Sequence, residues 1–320
     1  MVNTQPEFSR EQPKESSKEL IDTLRGVHCY LPTPFDSNLK IDTKGMNHNV
    51  SLLAQNGLNN LSFVVTGGLG ELFALDLEEH QAVVQAAVKG AAGKHKIIAG
   101  IRGGYKFALT MARNAEKSGA DAILIFSPPG GPQTIEGQER YFKDIANSVN
   151  IGVFVYPRRT QKNYWPTLIQ RLVTQPNILG FKDGTGGISF GRSLGSLVRD
   201  RLIWTARGET HALQALTAGA QAYATAFGSL IPRACIAFWK YGLKGNIKGM
   251  KTILRKRIQP LEKIRHLLPF PDAPPGFGVA GIKTALEALG RAGGPVRPPK
   301  LQVEKKSLIA EIAVEYGEQL

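Results

Sequence analysis

Short apolar runs rich in β-branched residues recur along the chain: GVHCYLP (from Gly26), NLSFVVT (from Asn60), KIIAGI (from Lys96), DAILIF (from Asp121), IGVFVY (from Ile151), NILGFK (from Asn177), LIWTA (from Leu202) and QAYAT (from Gln221). Their near-continuous apolarity suits strands buried on both faces. Between them the period changes to 3.6 residues. Leu77, Val83, Val84, Ala87 and Val88 form one stripe, with Glu78, Glu79 and Gln85 facing away. Similar stretches run from Phe107 to Ser118, Glu136 to Ser148, Trp165 to Thr174, Phe190 to Arg199 and His211 to Thr217. Strand and helix in alternation force parallel pairing through crossover helices. Eight units in roughly 200 residues, with no dinucleotide fingerprint after the first strand, predict an α/β fold of the (β/α)8 TIM-barrel type rather than an open doubly wound sheet.

The ends of the chain carry a different pattern. Residues 1–25 read as a polar leader that becomes helical near Glu19 to Arg25. The barrel then occupies residues 26–245. Residues 246–320 hold no further strand pattern and predict a C-terminal helical extension. Helices are expected around Leu230 to Gly242, Ile247 to Leu267, Val279 to Gly290 and Ser307 to Tyr316, interrupted by FPDAPPGFG and AGGPVRPPK.

Composition narrows the class. Hydrophobic residues at 42% and charged residues at 21% of 320 describe a soluble globular protein. The formal charge of +14 invites a nucleic-acid reading, but half of it falls in residues 241–320, where 14 Lys/Arg face 7 Asp/Glu. The densest cluster there, Lys248, Lys251, Arg255, Lys256 and Arg257, is interleaved with Ile247, Leu254 and Ile258 at helical spacing. A solvated helix face accounts for it, so no nucleic-acid partner is expected. Cys29 and Cys235 lie in apolar stretches without CxxC spacing and read as buried free thiols. The six histidines form no HxxxH or HxH pair, so neither a metal nor another cofactor is expected. No apolar run reaches 18 residues and the first 25 lack the apolar core of a secretion signal, which predicts a cytoplasmic protein without a membrane partner.

Barrel active sites lie at the C-terminal ends of the strands, so the polar groups there are the candidates. They are TGGLGE (Thr66 to Glu71) after strand 2, YPRR (Tyr156 to Arg159) after strand 5, KDGTGG (Lys182 to Gly187) after strand 6, RGE (Arg207 to Glu209) after strand 7, and Thr225 to Ser229 after strand 8. Lys182 stands out. A lysine at the mouth of an apolar barrel is desolvated, which favours the neutral amine, a nucleophile that forms a Schiff base with a ketone. A lysine at a strand end can equally snorkel its head to solvent. Tyr156, ending the preceding strand, supplies a neighbouring phenol able to relay protons. The glycines of GGLGE either offer backbone N–H groups to a carboxylate or serve only as a tight turn. Arg158 could hold a carboxylate bidentately.

TGGLGELFALDLEEH, VFVYPRR, ILGFKDGTGG and GVAGIKTALEALGRAGGPVRPP, together with PTPF (Pro32 to Phe35), resemble in order and spacing the dihydrodipicolinate synthase and N-acetylneuraminate lyase family of class I barrel lyases. The resemblance covers about residues 26 to 302. It implies a barrel with a C-terminal helical region, a homotetramer, and a Schiff base between Lys182 and a 2-oxo acid with Tyr156 as acid/base. It places the substrate carboxylate at Gly67, Gly68 and Leu69. Within the family, GG-x-GE-x-F-x-L and GFKDGTG look most like the 5-dehydro-4-deoxyglucarate dehydratase branch. Two segments depart from the pattern: Gly68 and Leu69 replace hydroxyl residues, and Pro128, Pro129 and Gly130 replace a tyrosine-bearing segment. Leu69 offers no side-chain hydrogen bond. The expected activity is therefore a Schiff-base-forming lyase on a 2-oxo acid, as a sugar-acid dehydratase. A pyruvate-dependent class I aldolase and a non-catalytic carboxylate-binding homologue are the alternatives. Thr185, Thr225, Ser229 and Glu209 are candidate substrate-binding or proton-delivering groups.

Overall fold

The eight apolar runs form β1 (Gly26–Tyr30), β2 (Leu61–Val65), β3 (Ile97–Ile101), β4 (Ala122–Phe126), β5 (Gly152–Tyr156), β6 (Ile178–Lys182), β7 (Ile203–Arg207) and β8 (Ala222–Thr225). Every neighbouring pair is parallel, and β8 returns to β1 with Gly26 opposite Ala222 and Cys29 opposite Thr225, which closes the barrel. The computed structural model describes residues 17–130, 133–156, 165–184, 188–195, 197–198, 201–266 and 278–320.

Alternation along the strands sorts side chains between the barrel interior and the surrounding helices. On β1, His28 meets Phe154 of β5 edge to face at 5.4 Å, so both point inward. Two residues on, Tyr30 and Tyr156 share that inward face. On β6, Phe181 packs against Phe190 of the helix Ile188–Ser193, which turns Gly180 and Lys182 inward. Gly180 has to be glycine: a Cβ there would stand 2.7 Å from the Phe154 ring and 2.6 Å from the Ile203 carbonyl oxygen. The interior therefore has an apolar floor of Phe154 and Gly180 beside His28, and above it, at the C-terminal rim, a layer holding Tyr30, Tyr156 and Lys182.

The helix expected near Glu19 to Arg25 spans Ser17–Leu24, and its Leu20, Ile21 and Leu24 are buried; the Leu24 carbonyl accepts a hydrogen bond from Nε2 of His28. Two expectations change. A helix unanticipated in the sequence, Thr43–Gln55, joins β1 to β2, capped by the Asp42 carboxylate accepting from the Gly45 N–H. Its Thr, Gly and Asn residues are poor helix formers, and buried Met46, Val50 and Leu53 stabilise it through packing instead. The helix expected from Ile247 to Leu267 is continuous to His266 but widens into a π-turn at Leu254–Ile258 between the segments Ile247–Ile253 and Gln259–His266. Further C-terminal helices are Pro232–Leu243, Val279–Ala288 and Lys306–Tyr316. No described helix is long and apolar enough to cross a membrane.

Burial gives the fold an acid weakness. His28 and His80 are buried, with ring nitrogens on the Leu24 and Gly100 carbonyls, and burial holds both near pKa 4. Their unfolded values lie near 6.5, so between about pH 6.5 and 4 the unfolded chain binds more protons than the folded one. Stability should therefore fall with pH across that window, by up to about 3 kcal/mol for each ring. Urea midpoints measured from pH 7.5 to 4.5 should drop in the wild type and drop less in His80→Gln. Equal slopes in the two proteins would contradict this account.

Candidate active site

Lys182 ends β6 with its Nζ 4.0 Å from the centroid of the Tyr30 ring and 4.5 Å from that of Tyr156. Two phenols thus flank the amine, on the strand before it and on the strand that opens the barrel. Burial pushes the Tyr30 phenol well above its usual pKa, and Tyr156 adds to the shift, so Tyr30 stays protonated. The Tyr156 ring is fixed from its other side by Phe126, edge to face at 5.0 Å, and Phe126 in turn by Phe73 at 5.8 Å. Thr205 of β7 pairs with Lys182, and its hydroxyl lies 3.4 Å from Nδ1 of His28 in the layer below. Tyr30 was not singled out in the sequence. The signal was available, since it closes the first strand run as Tyr156 and Lys182 close theirs.

The glycine loop stands against the same ring. A Cβ on Gly67 would lie 3.0 Å from the Tyr30 ring, so any larger residue would press on that ring. Gly68 is exposed with open space beside it, and Leu69 is half-buried. The loop is bounded by two non-glycine residues in the left-handed region, Thr66 at φ 50° and Glu71 at φ 54°. Such conformations cost about 1–3 kcal/mol each and persist where surrounding contacts enforce them. At Thr66 the enforcing contact is a hydroxyl that accepts from the Gly100 N–H at 3.1 Å. Glu71 is held more strongly. Its carboxylate pairs with Lys283 at 2.6 Å, both side chains being fully buried, and accepts from the Arg297 N–H at 3.0 Å. Lys283 also donates to the Pro295 carbonyl, and its ammonium and the Arg297 guanidinium lie over the Phe35 ring at 4.1 and 4.4 Å. Burial lowers the Lys283 pKa to about 8 even against the pull of Glu71. Thr33 donates to the Gly70 carbonyl at 2.7 Å. The motifs PTPF, GGLGE and GIKTALEALGRAGGPVRPP, distant in sequence, thus meet in one buried cluster behind the loop.

Other expected site residues lie elsewhere. Thr225 shares a face of β8 with Tyr223, whose hydroxyl donates to the Cys235 carbonyl on the helix Pro232–Leu243. That face points away from the interior. The Thr225 hydroxyl is bonded to the buried Glu209 carboxyl and accepts from the Phe227 N–H, so neither Thr225 nor Glu209 faces Lys182. Burial raises the Glu209 pKa. Ser229 donates to the Ala226 carbonyl within the turn Phe227–Ser229, and its own carbonyl accepts from Arg291. Strand alternation misplaced these residues, because only every second position of β8 faces inward. Arg158 and Thr185 lie outside the described residues. Pro128 and Pro129 line a separate cavity of about 520 Å³ with Tyr105, Arg140 and Tyr141, in which neither Lys182 nor Tyr156 takes part. Among the described residues no group of three or more His, Cys, Asp or Glu side chains could hold a metal.

Known proteins share both the sequence and the architecture. The chain is 32% identical over 293 residues to a probable 5-dehydro-4-deoxyglucarate dehydratase of Acidovorax ebreus, covering 90% of this chain and 94% of the relative. It is 32% identical to the protein of that name in Xanthobacter autotrophicus, over 89% of this chain and 93% of the relative. Among solved structures, dihydrodipicolinate synthase from Oceanobacillus iheyensis superposes with a TM-score of 0.82 at 23% identity, over 94% of this chain and 98% of that one. N-acetylneuraminate lyase from Mycoplasma synoviae gives 0.78 at 18%, over 92% and 97%, a likeness of fold. Residues 23–312 match the Dihydrodipicolinate synthetase family. With nine-tenths of its length matched and the barrel closed as in these structures, the chain belongs to the dihydrodipicolinate synthetase family of lyases.

Proposed function

We propose that this protein is a Schiff-base-forming dehydratase of a sugar-derived 2-oxo acid, of the 5-dehydro-4-deoxyglucarate kind. The observation that carries the reading is the amine of Lys182 between the Tyr30 and Tyr156 rings, facing an interior whose floor is apolar. The relatives named as 5-dehydro-4-deoxyglucarate dehydratases direct it towards loss of water. In this scheme the neutral Lys182 amine adds to the C2 carbonyl, and the carbinolamine loses water to give an iminium. The iminium accepts the electron pair released when a proton leaves C3. The resulting enamine returns that pair and expels the C4 hydroxyl, which departs as water. Tyr156 relays the protons, and a water molecule then hydrolyses the product iminium, which frees the 2-oxo acid and regenerates the Lys182 amine. The substrate's C1 carboxylate is assigned to the backbone of Gly67, Gly68 and Leu69, because Leu69 brings no donor of its own. A homotetramer, the arrangement implied by the resemblance, belongs to the same proposal.

Mass spectrometry of the products separates this reading from aldol cleavage on the same lysine. Incubation with 5-dehydro-4-deoxyglucarate should give a product lighter by water, with or without CO2. Release of pyruvate would assign the protein to the aldolases.

A further inference from the structure

The geometry points to Arg207 as the group that recognises a second, distal carboxylate on the substrate, making the site selective for dicarboxylic 2-oxo acids. The inference rests on the Schiff-base reading and adds a specificity-determining residue to it. Thr205 faces inward beside His28 and pairs with Lys182, so Arg207, two residues further on β7, stands on the same inward face one step above the lysine, at the rim. Strand spacing and rise put its Cα about 8 Å from that of Lys182. An arginine side chain and a six-carbon chain held at C2 by the lysine can together span that distance.

The state of this arginine supports the assignment. It is exposed, and among the described residues no carboxylate lies within ion-pairing distance of it. Among the described residues its one hydrogen bond runs from Nη2 to Nε2 of His211 at 3.2 Å, one turn along the helix Gly208–Thr217. His211 accepts there as a neutral ring, kept below its usual pKa by burial and by the Arg207 charge against the opposing pull of the Asp183 carboxylate, and thereby orients the guanidinium without neutralising it. The remaining guanidinium N–H groups form a planar fork matched to a carboxylate. A structural arginine is normally found in the opposite condition. Arg297, for instance, is bound bidentately to Glu79 and to the Leu39 and Ala74 carbonyls.

Two non-dehydratable probes of equal length test the proposal: 2-oxohexanedioate, which carries the distal carboxylate, and 2-oxohexanoate, which lacks it. Each is titrated against borohydride-trapped adduct on Lys182, read by intact mass and peptide mapping, in wild type, Arg207→Gln and Arg207→Lys. The wild type should half-saturate with the diacid at a concentration at least tenfold below the monoacid. Arg207→Gln should reduce that ratio to within about twofold, and Arg207→Lys should restore part of it. A wild type that takes both probes equally, or a ratio that survives in Arg207→Gln, overturns the assignment while leaving the Schiff base standing. Absence of any adduct on Lys182 with these probes and with pyruvate overturns the parent reading and this one with it.

Discussion

Lys182→Ala should lower kcat on the 2-oxo acid substrate by roughly 10³-fold or more, equivalent to about 4 kcal/mol of transition-state stabilisation, because no other group described at the rim can form the iminium. Lys182→Arg should be as inactive. It places a cation between the Tyr30 and Tyr156 rings, but a guanidinium stays protonated and is no nucleophile. The pair of variants therefore separates covalent catalysis from simple attraction of a carboxylate, which a non-catalytic homologue would need and which arginine would retain. Both proteins should remain folded, with urea midpoints close to wild type. Lys182 sits at a strand end above the packed floor, and its loss opens no deep cavity. Substantial activity in Lys182→Arg would favour the electrostatic role.

The second large effect is expected far from the lysine. Lys283→Met should destabilise the fold by about 3 kcal/mol in urea titrations, since it leaves the buried Glu71 carboxylate with only the more distant Lys300 ammonium, 3.8 Å away, as counter-charge. The double variant Glu71→Gln/Lys283→Met should recover much of that loss, because neither buried charge then remains. Function should not recover with it. Glu71 in its left-handed conformation ends the glycine loop, and the ion pair ties that loop to the C-terminal helix Val279–Ala288. With the tie weakened, KM for the 2-oxo acid should rise more than kcat falls in the refolded double variant. A double variant as unstable as Lys283→Met, or one with wild-type KM, would show that the pair does not position the loop.

The barrel was legible in the chain because a doubly buried strand and an amphipathic helix leave different periods, and eight repeats of that contrast admit few closures. Lys182 and Tyr156 were legible for a related reason: each breaks an apolar run at its C-terminal end. Tyr30 carries the same signal more faintly, as one aromatic at the end of an already apolar run. Thr225 and Ser229 were misplaced because a hydroxyl near a strand end looks identical from either side of the wall; the alternation that turns Thr225 towards Cys235 appears only once Tyr223 is placed. Glu71 and Lys283 left no periodic trace of their partnership. Their contact depends on how the C-terminal helices dock, and local patterning says nothing about that. The helix Thr43–Gln55 was missed for want of propensity, its stability coming from packing instead of composition.

If the Lys182 amine forms a covalent iminium with a 2-oxo acid, sodium borohydride should trap it. Reduction in the presence of pyruvate or a longer 2-oxo acid, followed by intact-mass and peptide mass spectrometry, should give an irreversible adduct of the mass of the reduced oxo acid, located on Lys182 and absent from Lys182→Ala. A folded wild-type protein that gains no adduct across a panel of 2-oxo acids, or one labelled at another lysine, would contradict the covalent role of Lys182.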